Sequence, residues 1–327
     1  MPEITAKDIA HAAGVSQAAV SRAFNPTASI KPGKREKILK VAREMGYEPP
    51  ALRSLTEAGS GAIALIAADL DNPFYPVAAD MLAKALFKRG WHLILYTVPQ
   101  GQTVDDVLRN VLKFKPEAAI VASATLSSSV VAACRRQGMP IILFNRTQHD
   151  PNATAVVCDN YAGGRMIARR FLEQGRSRIA FIGGVQDTST HRERLRGFED
   201  ALAEAGASVF AQTNGRFSYQ GGRSAAWDLL HQPHRPDSIF AANDVMALAT
   251  IDVARTLGLS IPDELAIIGF DDIPMASWES YRLTTVRQPT ERMVTDALEL
   301  IDMQLSDRSI EGTVRTSPVR LVLRDSG

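Results

Sequence analysis

The sequence predicts an α/β protein built as two lobes, each around a parallel doubly wound sheet, with an all-α head at the N-terminus. Three observations carry that reading. Past Gly59-Ser60-Gly61, short continuous apolar runs alternate with amphipathic segments, the pattern of buried parallel strands and their covering helices. These units are too many for one compact sheet, and two similar lobes are the natural solution. Ahead of them, residues 1–48 carry only helical periodicity and a tight glycine turn.

The head comes first in the chain. In Ile4 to Asn25, Thr5 stands where a helix N-cap belongs, with Asp8 three residues on, close to a capping box. Ile9, Ala12 and Ala13 follow on one predicted face. Gly14 supplies the left-handed residue that ends a helix at low cost. Val15 begins the link, and Ser16 caps a second helix running to about Phe24. That helix is expected to bury Val20, Ala23 and Phe24 and to expose Gln17, Ala18, Ser21 and Arg22. A short helix showing small hydrogen-bonding residues and one arginine fits a DNA major groove. Lys34 to Met45 gives a third amphipathic helix, with Ile38, Val41, Ala42 and Met45 in register. Gly46 ends it, and Pro49-Pro50 break the chain.

In the body, AIALIAAD, HLILYTV, AAIVAS, PIILFN, RIAFIGG, SIFAAND and LAIIGFDD read as buried strands. Helical patterns lie between them, such as Ala79 to Lys88 and Tyr161 to Gln174. A break near Cys158-Asp159-Asn160 marks a first crossing between lobes, and the chain returns near Thr284-Thr285-Val286. Thr290 to Leu305 then lies back on the first lobe, and Pro318 to Leu323 forms a final crossing strand.

Composition sets limits on function. The chain has 327 residues, 45% hydrophobic and 22% charged, the balance of a folded soluble protein. No apolar run is long enough to span a bilayer, and MPEITAKD lacks the pattern of a secretory signal. A cytoplasmic location is expected, with no membrane partner. Cys134 and Cys158 are far apart without metal-ligand spacing and read as buried thiols. The net charge of +1 hides an asymmetry: residues 1–60 hold 9 Lys+Arg and 6 Asp+Glu, or +3, leaving −2 for the rest. His231 and His234 sit in a Pro-rich HQPHRP segment that reads as a turn, so no metal is expected. No nucleophile elbow, phosphate loop or dinucleotide fingerprint is present, so neither an enzyme nor a cofactor is expected.

AKDIAHAAGVSQAAVSRAFN and ILKVAREMGYEP closely resemble the head of the lactose-repressor/galactose-repressor (LacI/GalR) family of bacterial transcription regulators. Further motifs follow in the family's order: LDNPFYP, ILFNR, RERLRGF, AAND and GFDD. The resemblance implies a helix-turn-helix domain over residues 1–48, a hinge helix over 49–60 and an effector and dimerisation domain over 61–327. The last has the two-lobed periplasmic-binding-protein-like fold, lobe 1 about 61–159 and 287–317, lobe 2 about 160–286 and 318–327. It implies that Gln17, Ala18 and Arg22 read bases, and that Thr5, Ser16, Ser21, Asn25 and Tyr47 contact phosphates. Matching the Arg-Ser-Leu triplet makes Leu55 the minor-groove wedge. The hinge is one residue shorter than the family's, so Leu52 is a rival. Lys31 replaces a usual capping serine.

In the body, the resemblance assigns effector contacts to Phe74 or Tyr75, Asn145, Arg146, Arg194, Phe217, Asn243 and Asp271. Phe74 and Tyr75 have packing in the core as their competing reading. For Asp159, Asp244 and Asp272, N-capping after a strand is favoured over ligand contact. An arginine, amide and carboxyl groups and aromatic faces suit a sugar-like effector, with a purine or nucleoside as the alternative. The expected protein is a repressor that binds a pseudo-palindromic operator as a homodimer, under control of that effector. The alternatives are a transporter's solute-binding protein, which leaves the head unexplained, and an enzyme.

Overall fold

The computed structural model describes residues 4–24, 28, 30–47, 61–99, 101–122, 127–148, 150, 153–307 and 312–327. The chain divides into two compact units, Met1–Gly61 and Ala62–Gly327. Among the described residues, no helix is long and apolar enough to cross a membrane.

Among its described residues the first unit holds three helices, α1 (Ala6–Ala13), α2 (Gln17–Phe24) and α3 (Pro32–Met45). Thr5 and Asp8 close a full capping box at the start of α1, and Gly14 ends it at φ 65°. Ile9, Ala10, Ala13, Ala19, Val20, Ala23, Ile38, Ala42 and Tyr47 form one core, with Phe24, Val41 and Met45 packed at its edge. Ala12, expected inside, is exposed, and Ala10 is buried in its place. The reason is that α1 packs on both other helices, so its buried stripe is set by two neighbours at once. Helix α3 starts at Pro32, two residues before the expected Lys34. Lys31 caps it without a side-chain hydrogen bond, and proline at the first turn gives up an amide that needs no partner there.

The second unit contains two six-stranded sheets of matching order. The first is built from β1 (Ala62–Ala67), β2 (His92–Thr97), β3 (Ala118–Ala122), β4 (Ile141–Phe144), β5 (Thr154–Cys158) and β11 (Val314–Ser317). Its order is β11-β5-β4-β3-β1-β2. The second is built from β6 (Ile179–Gly183), β7 (Ala211–Asn214), β8 (Ser238–Ala241), β9 (Ala266–Asp271), β10 (Thr284–Arg287) and β12 (Arg320–Val322), in the order β12-β10-β9-β8-β6-β7. All pairings are parallel except β10 with β12, which is antiparallel. In both sheets the order reverses beside the first strand, and ligands of doubly wound sheets bind outside the strand C-termini at such a point.

Strand β1 is buried at every residue, as its unbroken AIALIA run demands. HLILYTV differs from expectation: β2 is half-exposed because it is the sheet edge, with one neighbour only. Helix α4 (Phe74–Phe87) begins five residues before the expected Ala79 and carries Pro76 in its first turn, where proline is tolerated. Helices α5 (Val104–Val111) and α6 (Ser128–Arg136) complete the first sheet's own cover. Around the second sheet lie α7 (Asn160–Glu173), α8 (Ser189–Glu204), α9 (Tyr219–Leu230) and α10 (Asp244–Thr256). Helix α11 (Thr290–Ser306) packs back on α4, β4 and β5.

Helices α7 and α8 touch backbone to backbone. A Cβ on Gly164 would lie 2.1 Å from the Arg194 carbonyl oxygen, and one on Gly197 would lie 2.0 Å from that of Tyr161. Only glycine permits this approach. It brings Arg194, on α8, against Asn160 at the start of α7.

Candidate nucleic-acid interface and effector cleft

In the head, Gln17, Ala18, Ser21 and Arg22 lie on the exposed face of α2, while Ala19, Val20 and Ala23 face the core. Arg22 Nε donates to the Ala18 carbonyl at 3.3 Å, which lays its stem along the helix. Ser16 Oγ accepts from the Ala19 amide at 3.3 Å and so serves as the helix start. The Thr5 hydroxyl donates to Asp8 Oδ2 at 2.6 Å. Capping therefore occupies its proton. Tyr47 is 8% exposed, its ring edge-on to Phe24 at 5.8 Å, and burial raises its hydroxyl above the usual phenol range. Its ring is thus part of the head's core. Asn25, Leu52, Leu55 and the hinge as a whole lie outside the described residues.

In the body, one cleft is lined by Tyr75, Asn145, Arg146, Arg194, Phe217, Asn243 and Asp271, seven of the eight residues named from sequence. All but Arg194, which lies inside α8, sit at or just past the C-terminal end of a strand or at the start of the next helix. Phe74 is the exception. Its ring lies in the core, 5.2 Å from Tyr75 and stacked on Phe144 at 6.5 Å. The side chain points to the sheet because the first turn of α4 buries that face. Asp69, Asn72 and Thr190 complete the lining and were not anticipated. Asp69 and Asn72 flank the LDNPFYP motif's own start, so that loop held the signal.

Arg194 is the hub. It is 2% exposed. Its Nε donates to Asn160 Oδ1 at 2.8 Å, Nη1 to the Ala242 carbonyl and Nη2 to Asp271 Oδ1 at 3.2 Å. The guanidinium lies over the Phe270 ring at 3.6 Å, a cation–π contact. Asp271 also accepts from Gln288 Nε2 at 2.7 Å and from Asn72 Nδ2 at 3.3 Å. Those bonds tie the two lobes through one carboxylate. Burial raises the Asp271 carboxyl above its ordinary range, while Arg194 pulls it back down.

The opposite wall is aromatic. Phe217 sits at φ 61°, a left-handed conformation, and Asn243 Nδ2 holds its carbonyl at 3.0 Å. A Cβ on Gly184 would lie 2.0 Å from the Phe217 ring, so the ring lies flat on that glycine. The Gly184 amide in turn donates to His191 Nδ1 at 3.1 Å. Arg146 is 5.8 Å from the Phe217 ring centre. Two polar atoms here are buried without a partner among the described residues: Asn145 Oδ1 and Arg146 Nε. Asn145 is 4% exposed at φ 63°. Adjacent residues thus place an unpaired acceptor and an unpaired donor side by side in the cleft lining.

The aspartates after the strands divide. Asp159 caps α7, accepting from the Ala162 amide at 2.8 Å. The cap of α10 is Asn243, not Asp244. Asp244 is fully buried, bonded to the Thr285 hydroxyl at 2.5 Å and the Ile273 amide at 2.9 Å, and burial pushes its carboxyl up to about 8. Asp272 pairs with Arg287 and, at 2.7 Å, with Arg324. Each was expected as a cap, and tertiary partners took the carboxylate instead. His231 stacks on Trp227 at 4.0 Å. Cys134 and Cys158 are buried, their thiols pushed up to about 11 and about 12.

A helix-turn-helix head joined to a two-lobed body with a polar cleft defines a ligand-responsive DNA-binding regulator. Comparison with known proteins agrees. Residues 5–50 match the model of bacterial regulatory proteins of the lacI family, and residues 168–327 match a periplasmic binding protein-like domain. The chain is 34% identical to the HTH-type transcriptional regulator DegA of Bacillus subtilis over 88% of both chains. It is 29% identical to the HTH-type transcriptional repressor PurR of Photobacterium profundum over 98% of both. The structure of a transcriptional regulator CelR–cellobiose complex superposes with a TM-score of 0.75 at 28% identity, covering 99% of this chain and 100% of that one. The chain belongs to the LacI family and is a DNA-binding transcriptional regulator controlled by a small-molecule effector.

Proposed function

We propose that the cleft binds a neutral sugar and that its occupancy decides whether a homodimer of this chain holds a pseudo-palindromic operator. The carrying observation is the charge balance of the lining. Two arginines, Arg146 and Arg194, face two aspartates, Asp69 and Asp271. Such a wall has no net charge to offer a sugar acid. The orphaned Asn145 Oδ1 and Arg146 Nε require a donor and an acceptor side by side, and vicinal hydroxyls supply both. Tyr75 and Phe217 add apolar faces for a sugar ring. The CelR neighbour is described with cellobiose, a neutral disaccharide.

On the DNA side, Gln17, Ala18 and Arg22 read base edges while Ser16, Ser21, Asn25 and Tyr47 hold phosphates, with Leu55 or Leu52 as the wedge; Thr5, whose hydroxyl and amide both donate to Asp8, serves as the cap of α1 instead. Cleft and head need to be linked by only ~1–3 kcal/mol to switch the operator. The test is a thermal-shift screen of neutral sugars, sugar acids and nucleosides, followed by operator binding with each hit. A neutral sugar should raise the melting temperature and change operator affinity. A screen in which only sugar acids or nucleosides bind would overturn the reading.

A further inference from the structure

A second cavity lies on the far side of Asp271 and Gln288, and its chemistry differs from that of the cleft. Its volume is about 820 Å³, within the ~300–1,000 Å³ range of small-molecule sites. Both lobes and the segments crossing between them contribute walls. Met81 of α4 and the first turn of α11 come from one side, Pro274 from the other, and Arg287, Arg320 and Arg324 from the crossing segments.

The charge is one-sided. Arg287, Arg292, Arg320 and Arg324 line the cavity against Asp271, Asp272 and Glu291, and Asp271 is already matched by Arg194. Arg324 is committed to Asp272 and the Leu283 carbonyl. Among the described residues, Arg287 uses only Nε on Asp272 and Arg292 only Nε on Asp296, and their terminal nitrogens have no partner. Arg320 sits opposite Arg287 in the β10–β12 ladder, and its side chain has no hydrogen bond or ion pair among the described residues. The start of α11 also opens here, and its N-cap, Pro289, provides no side-chain bond to the first turn. Gln288, 3% exposed, lines the same cavity, and its Oε1 has no partner among the described residues.

We infer that this cavity is a second effector site for a small organic oxyanion that also carries a hydroxyl, a hydroxycarboxylate or a phosphate monoester. The open guanidinium groups take the oxyanion, and the apolar wall of Met81 and Pro274 takes the carbon skeleton. Gln288 Oε1 accepts the hydroxyl. Because Gln288 Nε2 also holds Asp271, the site shares one side chain with the cleft. Because its walls come from both lobes, an anion bound here resists their rotation and biases the same switch.

The test uses the full chain at fixed ionic strength. Citrate and glycerol 2-phosphate are titrated separately by calorimetry, with potassium chloride as the control. At least one should bind saturably, and Arg320→Glu should weaken it tenfold or more without lowering the anion-free melting temperature. Phe217→Ala, which alters only the cleft, should leave anion binding intact, so failure of the cleft reading is separable. Citrate alone or glycerol 2-phosphate alone identifies the carboxylate or phosphate form. No saturable binding of either anion, or equal binding by Arg320→Glu, would overturn the inference.

Discussion

Replacing Arg194 by Met keeps the volume and removes the charge from the most constrained position in the body. The loss can be worked from its partners. Asn160 Oδ1 and the Ala242 carbonyl each lose a donor in a buried site, and Asp271 loses its cation while keeping Gln288 and Asn72. Removing one member of a buried ion pair costs about 3–5 kcal/mol. The two remaining donors to Asp271 place the expected value near the lower end, about 3 kcal/mol at pH 7.5. Protonation limits the cost, since each unit by which the Asp271 carboxyl rises is worth about 1.4 kcal/mol. The carboxyl is already raised by burial, and without Arg194 it rises further. A raised carboxyl pKa costs stability above the unfolded value, so the deficit should shrink toward pH 5. Arg194→Met/Asp271→Asn should be more stable than the single variant, because no unpaired charge remains. Urea unfolding followed by fluorescence reads this, as Trp91, Trp227 and Trp278 all lie in the body. A single variant within about 1 kcal/mol of wild type, or a double variant no better than the single, would refute the hub.

Arg22→Ala should cost about 1–3 kcal/mol at particular operator base pairs, measured by gel shift over a panel of sites; uniform weakening would make Arg22 a phosphate contact. Gly164→Ala puts a Cβ 2.1 Å from the Arg194 carbonyl, a backbone atom that cannot turn away, so α7 and α8 must part. The expected loss is about 1–3 kcal/mol by urea unfolding together with weaker sugar binding, and an unchanged variant would disprove the close contact. His191 carries the pH prediction. Burial first, and then Arg192, lower its pKa below the usual imidazole value, and Nδ1 accepts from Gly184 only when unprotonated. Its contribution is therefore complete above the unfolded value of about 6.5 and is lost as pH falls through the lower folded value. Buried Asp244 and Asp271 titrate with the opposite sign, so wild type is compared with His191→Gln between pH 7.5 and 5. The variant should show the smaller acid-dependent drop in melting temperature, and parallel curves would exclude the role.

The alternation of apolar runs and helices was enough for the α/β class, and the head's capping box and Gly14 were legible residue by residue. Such features are local, fixed by spacing along a few turns. Strands β5, β7 and β11 were missed because TAVVC sits directly against a predicted crossing and neither AQTN nor VRTS has an apolar run. Phe74 was placed on the ligand side because the prolines of LDNPFYP hid the start of α4.

The amino-acid order alone thus settled most of the strands and helices and where the reading helix shows its polar face, and the family resemblance it carries named seven residues that line one cleft. Tertiary structure decided what those side chains do. That Arg194 is held by Asn160, Ala242 and Asp271, that Asp244 and Asp272 have partners other than helix amides, and that an arginine-lined cavity sits behind Gln288 all depend on residues tens to more than a hundred positions apart. Pattern along the chain reports a residue's own turn or strand, whereas charge pairing and cavity shape are set by which distant elements the packed sheets bring within a few ångströms.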